Sequence, residues 1–161
     1  MRYKKMIITA LFIALSYVGA NIKIFSSIAF DSVPGFLAAL LLGPFYGAII
    51  GAAGHFLTAV TSGFPQSILV HSIIMFYMAL TMWVFGKSYC LVKRRSKILA
   101  AVISVIAAII INGPVAVISI IPLAGKGILA YLPVLCMVAG INSVFGIVLY
   151  EALPERIKKW K

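Results

Sequence analysis

The 161-residue chain carries three acidic residues, Asp31, Glu151 and Glu155, and only 11% of it is charged at all. A soluble domain keeps about a quarter of its residues charged to face water. With 63% hydrophobic residues, this surface faces lipid instead. The shortages also exclude chemistry. No Ser-His-acid set can be assembled. The two histidines, His55 and His71, form no His-x-x-x-His pair and have no acid nearby in sequence, so they make no metal site. Cys90 and Cys136 are too few for a metal framework and fall in opposite halves of the membrane in the topology below. They are expected as small core residues, not as a disulfide. Phe85-Gly86-Lys87-Ser88 looks like the end of a phosphate loop, but Thr81 stands where its first glycine belongs, and no strand precedes it. The chain is therefore read as a non-enzyme without a cofactor.

Basic residues are present, and their placement is informative. Twelve of the fourteen Lys and Arg residues lie at three places. Arg2, Lys4 and Lys5 begin the chain. Lys87, Lys93, Arg94, Arg95 and Lys97 crowd one internal loop. Arg156, Lys158, Lys159 and Lys161 end it. Only Lys23 and Lys126 lie elsewhere. Long apolar runs separate these clusters, which is the positive-inside pattern of a polytopic membrane protein with both termini in the cytoplasm. A net charge of +11 does not indicate nucleic acid, because no basic face interleaves with aromatics. Anionic lipid headgroups are the simpler partner. Residues 1–20 imitate a signal peptide with a cleavage site at Val18-Gly19-Ala20. Cleavage would leave an odd number of spans and spoil the charge pattern, so the segment is read as the first span.

The expected fold is all-α, a single transmembrane domain over residues 1–161 with six helices. The spans run over about 6–22, 33–42, 45–61, 68–92, 98–121 and 128–153. A straight helix needs about 20 apolar residues to cross a bilayer, and the second span has ten. Either it continues into residues 26–32, or it is a partial helix lining a cavity, where irregular backbone is tolerated. The segment 23–31 would then fold back as a lid on the outer face. Gly43, Gly47, Gly51 and Gly54 form a small-residue stripe suited to close helix packing.

Polar residues inside spans are costly and so mark candidate sites. His55 lies about 15 Å along the third span, on a stripe with Gly51, Thr58 and Ser62. A helix-to-helix hydrogen bond and a ligand contact both suit it. His71 opens the fourth span, with Met75, Met78 and Met82 below it on one face, either as adaptable contact for a flat ligand or as core filler. Asn112 precedes Gly113-Pro114, a helix kink whose freed carbonyls it would help satisfy. Asn142 shares a stripe with Tyr131, Leu135 and Val138. Two asparagines facing one cavity would offer donors and acceptors to a heterocycle. Asp31-Ser32-Val33-Pro34 is a good helix start, with Asp31 as cap, as ligand contact, or both.

The basic start leading into Ala10-Leu-Phe-Ile-Ala14, six spans in about 160 residues, and the stretch from Pro34 to Gly54 with its Leu42-Gly43-Pro44-Phe45-Tyr46-Gly47-Ala48 core resemble the S components of energy-coupling factor (ECF) transporters. The resemblance covers nearly the whole chain. It implies a membrane subunit that binds a vitamin or vitamin precursor on the outer side. It implies docking on a transmembrane coupling protein that carries two ATPases, and toppling in the membrane to deliver the substrate. The alanine pair of that family's first span, which contacts the coupling protein, falls here on Ala10 and Ala14. The pocket falls on the outer halves of spans four to six, closed by the loops at 23–32 and 62–67, with Asp31, His55, Phe64, His71, Met75, Met78, Asn112, Tyr131 and Asn142 as binding candidates.

The segments Phe30–Gly35 and Gly54–Pro65 are similar to members that take up α-ribazole, the nucleoside precursor of the cobalamin lower ligand. The residues suit a neutral aromatic heterocycle bearing hydroxyls. A cationic ligand would want more acid than Asp31, and a polyphosphate more base than Lys23 and Lys126. Thiamine precursors, pyridoxine and riboflavin stay open as substrates. A stand-alone channel or facilitator, with His55 and Asn142 lining a pore, is the rival from another class.

Overall fold

Serine, glycine and proline punctuate a helical chain. The computed structural model describes residues 2–21, 23–24 and 28–158. Its helices are α1 (Arg2–Asn21), α2 (Val33–Leu41), α3 (Pro44–Thr61), α4 (Ile68–Val92), α5 (Lys97–Ile110), α6 (Ala116–Ala124), α7 (Leu132–Ala152) and a short α8 (Glu155–Lys158). Ser67 and Ser96 cap α4 and α5 by accepting from Val70 N–H and Leu99 N–H, satisfying otherwise orphaned donors. Gly43 makes the α2–α3 turn at φ +114, where a side chain would be strained. Among the stripe of glycines it is the turn former, while the other three pack helices.

Two segments expected as continuous spans change form on the way. A π-helical turn, Ile111–Val115, joins α5 to α6 at Asn112-Gly113-Pro114. Pro114 cannot donate to the helix ladder, and the wider turn absorbs that loss. A 3-10 turn, Lys126–Tyr131, leads into α7. Among the described residues, four stretches are long and apolar enough to cross a membrane: Tyr3–Asn21, Ile68–Val92, Lys97–Ala124 and Lys126–Ala152.

Residues 23–24 and 28–29 pair as a minimal antiparallel ribbon, a small departure from an all-helical chain. Residues 28–29 therefore do not extend α2 as helix, and α2 stays at nine residues, about 14 Å. Of the expected lid at 23–32, residues 25–27 lie outside the described residues, as do Ile22, Lys159 and Lys161. Asp31 does not cap α2. Ser32 occupies the cap position and makes no capping bond through its side chain. Its hydroxyl donates to Asp31 Oδ1 at 3.0 Å instead, so the two side chains satisfy each other and not the helix end.

Although α2 is short, it forms the centre of the bundle. Phe36, Ala38, Ala39 and Leu40 are at most 1% exposed. Glycines let three neighbours close on it. A Cβ on Gly47 of α3 would meet the Ala39 Cβ at 2.5 Å, one on Gly86 of α4 would meet it at 3.1 Å, and one on Gly146 of α7 would meet the Phe36 Cβ at 2.6 Å. The Phe36 ring sits edge-on to Phe85 at 4.7 Å between centroids. Small residues at such crossings let backbones approach closely where lipid supplies no hydrophobic drive.

The basic residues gather at one end of the bundle. Lys5 lies over the Tyr46 ring at 5.5 Å. Glu151 accepts from Tyr89 Oη at 2.8 Å and Lys97 Nζ at 3.0 Å, with Lys158 Nζ at 3.8 Å. This carboxylate joins the ends of α4, α5 and α7 to α8.

Candidate functional site

Above mid-height, toward the end away from the basic residues, His55 of α3 and His71 of α4 meet. His55 Nε2 and His71 Nδ1 are 3.1 Å apart, and His71 Nε2 lies 2.9 Å from the Pro65 carbonyl oxygen. Phe64 stands edge-on to His71, with centroids 5.8 Å apart, and its other neighbour is Phe56 at 6.4 Å. The loop that carries Phe64 is wound tightly. Gly63, Phe64 and Gln66 all have positive φ, at 72°, 49° and 76°. For Phe64 and Gln66 that costs about 1 to 3 kcal/mol each, and such strain persists only where surroundings enforce it. The stop of α3 accounts for Gly63 alone: Phe64 N–H bonds back to Ala59 O at 2.9 Å and Gly63 N–H to Val60 O at 3.2 Å, a reversal that places one left-handed residue, Gly63, after the helix.

A second group of polar residues lies at mid-height. Gly54 is ten residues into α3 and Asn142 ten residues before the end of α7, each about 15 Å from the basic end. The Asp31 carbonyl oxygen sits 3.9 Å from where a Gly54 Cβ would be. The chain before α2 therefore descends to mid-height, because nine helical residues rise no further from the Gly43-Pro44 turn. Phe30 anchors that descent. Its N–H bonds to Gly19 O at 3.2 Å, and its ring packs on Phe145 of α7 at 5.8 Å. Asn142 and Ser143 are fully buried at the same level.

The remaining candidates are dispersed. Asn112 is half-buried in the π turn, beside Gly113, where a Cβ would come within 2.6 Å of Cys136 Sγ. Tyr131 is 57% exposed at the start of α7. Met75 is half-buried, while Met78 is in the core with Met82, whose side chain lies 2.7 Å from the Gly51 Cβ position. No hydrogen bond links Asn112 or Tyr131 to the histidine cluster among the described residues. No three His, Cys, Asp or Glu side chains come together there to hold a metal ion. Four residues were not singled out from the sequence as polar groups facing a neighbour. Tyr77 of α4 hydrogen-bonds Ser119 of α6. Ser16 and Thr81 are fully buried, and their hydroxyls have no partner among the described residues. Serine and threonine inside apolar helices give no sequence signal of facing a neighbour, since both also bond their own helix.

Ala10 and Ala14 lie on an open face of α1 with Ile7 and Leu11, which are 63% and 59% exposed. Packing within the bundle uses Ser16, Gly19 and Ala20 on the other side of that helix.

A family model described as the ECF transporter, substrate-specific component, matches residues 4–158. No curated protein and no solved structure gives a significant match.

Proposed function

The chain belongs to the substrate-specific components of ECF transporters, and from that premise we propose that it binds a neutral aromatic heterocycle bearing hydroxyls, with α-ribazole the best candidate. Such a component is a transport subunit in a membrane, not an enzyme. Its energy comes from a coupling protein with two ATPases. Both termini lie in the cytoplasm of a six-span chain in the plasma membrane, a reading supported by the clustering of basic residues at one end. Ala10 and Ala14 form the docking face for the coupling protein, supported by their exposure on α1.

The pocket opens at the end opposite the basic residues. Asp31, Asn112 and Asn142 supply directional hydrogen bonds. Phe64, Tyr131 and Met75 supply flat apolar contact, His71 stands at the mouth and His55 below it. A mostly apolar site with a few placed polar groups is the usual form of a small-molecule pocket. The observation that carries the reading is the convergence of His55, Phe64 and His71 across α3, α4 and their loop, at the end where an outer-side site belongs.

The test is mass spectrometry of small molecules retained by the purified protein, with titration of α-ribazole, thiamine precursors, pyridoxine and riboflavin. Saturable α-ribazole binding with negligible flux in liposomes supports the reading. Tight binding of another vitamin moves the substrate. Flux by the chain alone makes it a facilitator.

A further inference from the structure

One side chain ties down the middle of the α3–α4 loop. Gly63 and Phe64 stay bonded to the end of α3 through Val60 O and Ala59 O. Ser67 already belongs to α4 as its cap. Between them Pro65 has no N–H to offer, and its carbonyl is held by His71 Nε2. The residues on either side of Pro65 are the two strained ones, Phe64 and Gln66. Left alone, residues with side chains relax from that conformation.

The proton position on one ring nitrogen follows from this contact. A carbonyl only accepts, so His71 Nε2 carries the hydrogen. His71 Nδ1 and His55 Nε2 share the second bond, whose donor and acceptor are set by the tautomers of the two rings. The ring centroids are 5.3 Å apart against 3.1 Å between the nitrogens. The rings therefore meet end to end, as that bond requires. His55, His71 and Pro65 form one hydrogen-bonded chain from α3 through α4 to the loop.

We propose that His71 is a positioning residue, a latch that holds the 62–67 loop down against α3 and α4 and so slows release of a bound molecule. It acts through the Pro65 carbonyl and the Phe64 ring. The effect on release rests on the reading of this end as a ligand pocket; the latch itself does not.

Two measurements separate the two ideas. A nitroxide at Gln66→Cys, in a chain with Cys90→Ala and Cys136→Ala, reports loop motion without any ligand. His71→Ala should convert its spectrum to a mobile one. His71→Gln, whose amide can donate to Pro65, should return it toward the parent. Release of α-ribazole should be roughly tenfold faster in His71→Ala, the loss of about one neutral hydrogen bond, that to Pro65. Association should stay within about twofold, and His71→Gln should recover most of the release rate. If His71→Ala does not fold, His71→Met fills the space without donating. An unchanged nitroxide spectrum overturns the latch. So does a loss of affinity equal in the Ala and Gln variants with the loop immobile, which would make His71 a direct ligand contact. If the parent chain does not bind α-ribazole, the substrate assignment fails, and the nitroxide spectra alone decide the latch.

Discussion

The Ser16 Cβ on α1 stands 2.8 Å from the point a Cβ on Gly54 of α3 would occupy. At the same height the Asp31 carbonyl approaches, and just above it Gly19 receives Phe30. The first and third helices thus touch at backbone distance where the chain dips toward α2. Gly54→Ala should lower stability by about 1 to 3 kcal/mol, the usual cost of overpacking. Adding Ser16→Gly should recover most of that loss, because it removes the atoms the new methyl meets. Thermal unfolding in detergent of the two single variants and the double variant measures the coupling, and strict additivity would deny the contact.

Glu151 gives a graded prediction at the basic end. Lys97 reaches it with a side chain that is 70% exposed, whereas the Lys158 side chain is 10% exposed and also bonds the Glu151 carbonyl and Glu155. Exposed pairs contribute little, and breaking a buried one leaves an uncompensated charge. Lys97→Ala should therefore leave stability essentially unchanged. Glu151→Ala should cost more, since it strips Tyr89 and Lys158 of a partner together. Unfolding at low and high salt distinguishes the two, with salt reducing only the small Lys97 effect.

The asparagines test the pocket. Asn142→Ala and Asn112→Ala should each weaken α-ribazole binding by about 1 to 3 kcal/mol, roughly 5- to 150-fold. Titration calorimetry on folded protein measures this. Affinities within about twofold of the parent, ~0.4 kcal/mol, would move the pocket elsewhere.

Docking is tested on the open face of α1. Ala10→Trp and Ala14→Trp should abolish transport with the complete importer and leave ligand binding intact, because bulk there prevents close helix approach. Uptake by reconstituted complexes, beside binding by the isolated chain, is the measurement. Normal assembly and transport in both variants would remove the assignment.

Much of the helical layout was legible in local sequence. Gly43-Pro44 makes a turn and Asn112-Gly113-Pro114 breaks a span, each through chemistry confined to a few neighbours, whereas the caps at Ser67 and Ser96 emerge from the structure. Asp31 shows the limit. Its sequence looks like a cap, but the start of α2 is pressed against α1 and α3, and there the carboxylate takes the Ser32 hydroxyl. The site was legible in its members and not in its grouping. His55 stands out as a polar residue inside a span, and Phe64 and His71 as residues near helix ends, yet nothing in their spacing places a ring nitrogen of one on the other.

What the sequence determines by itself is the membrane character and the position of the apolar runs, because hydropathy and charge act residue by residue along the chain. The tertiary structure decides which faces meet. A helix that is apolar nearly all round, as α4 is, carries no pattern that orients it. Its rotation is set by where small residues let backbones close: Gly51 on Met82, Gly86 on Ala39 and Pro44. That rotation brings His71 of α4 to His55 of α3 and Tyr89 to Glu151, pairs that are 16 and 62 residues apart in the chain.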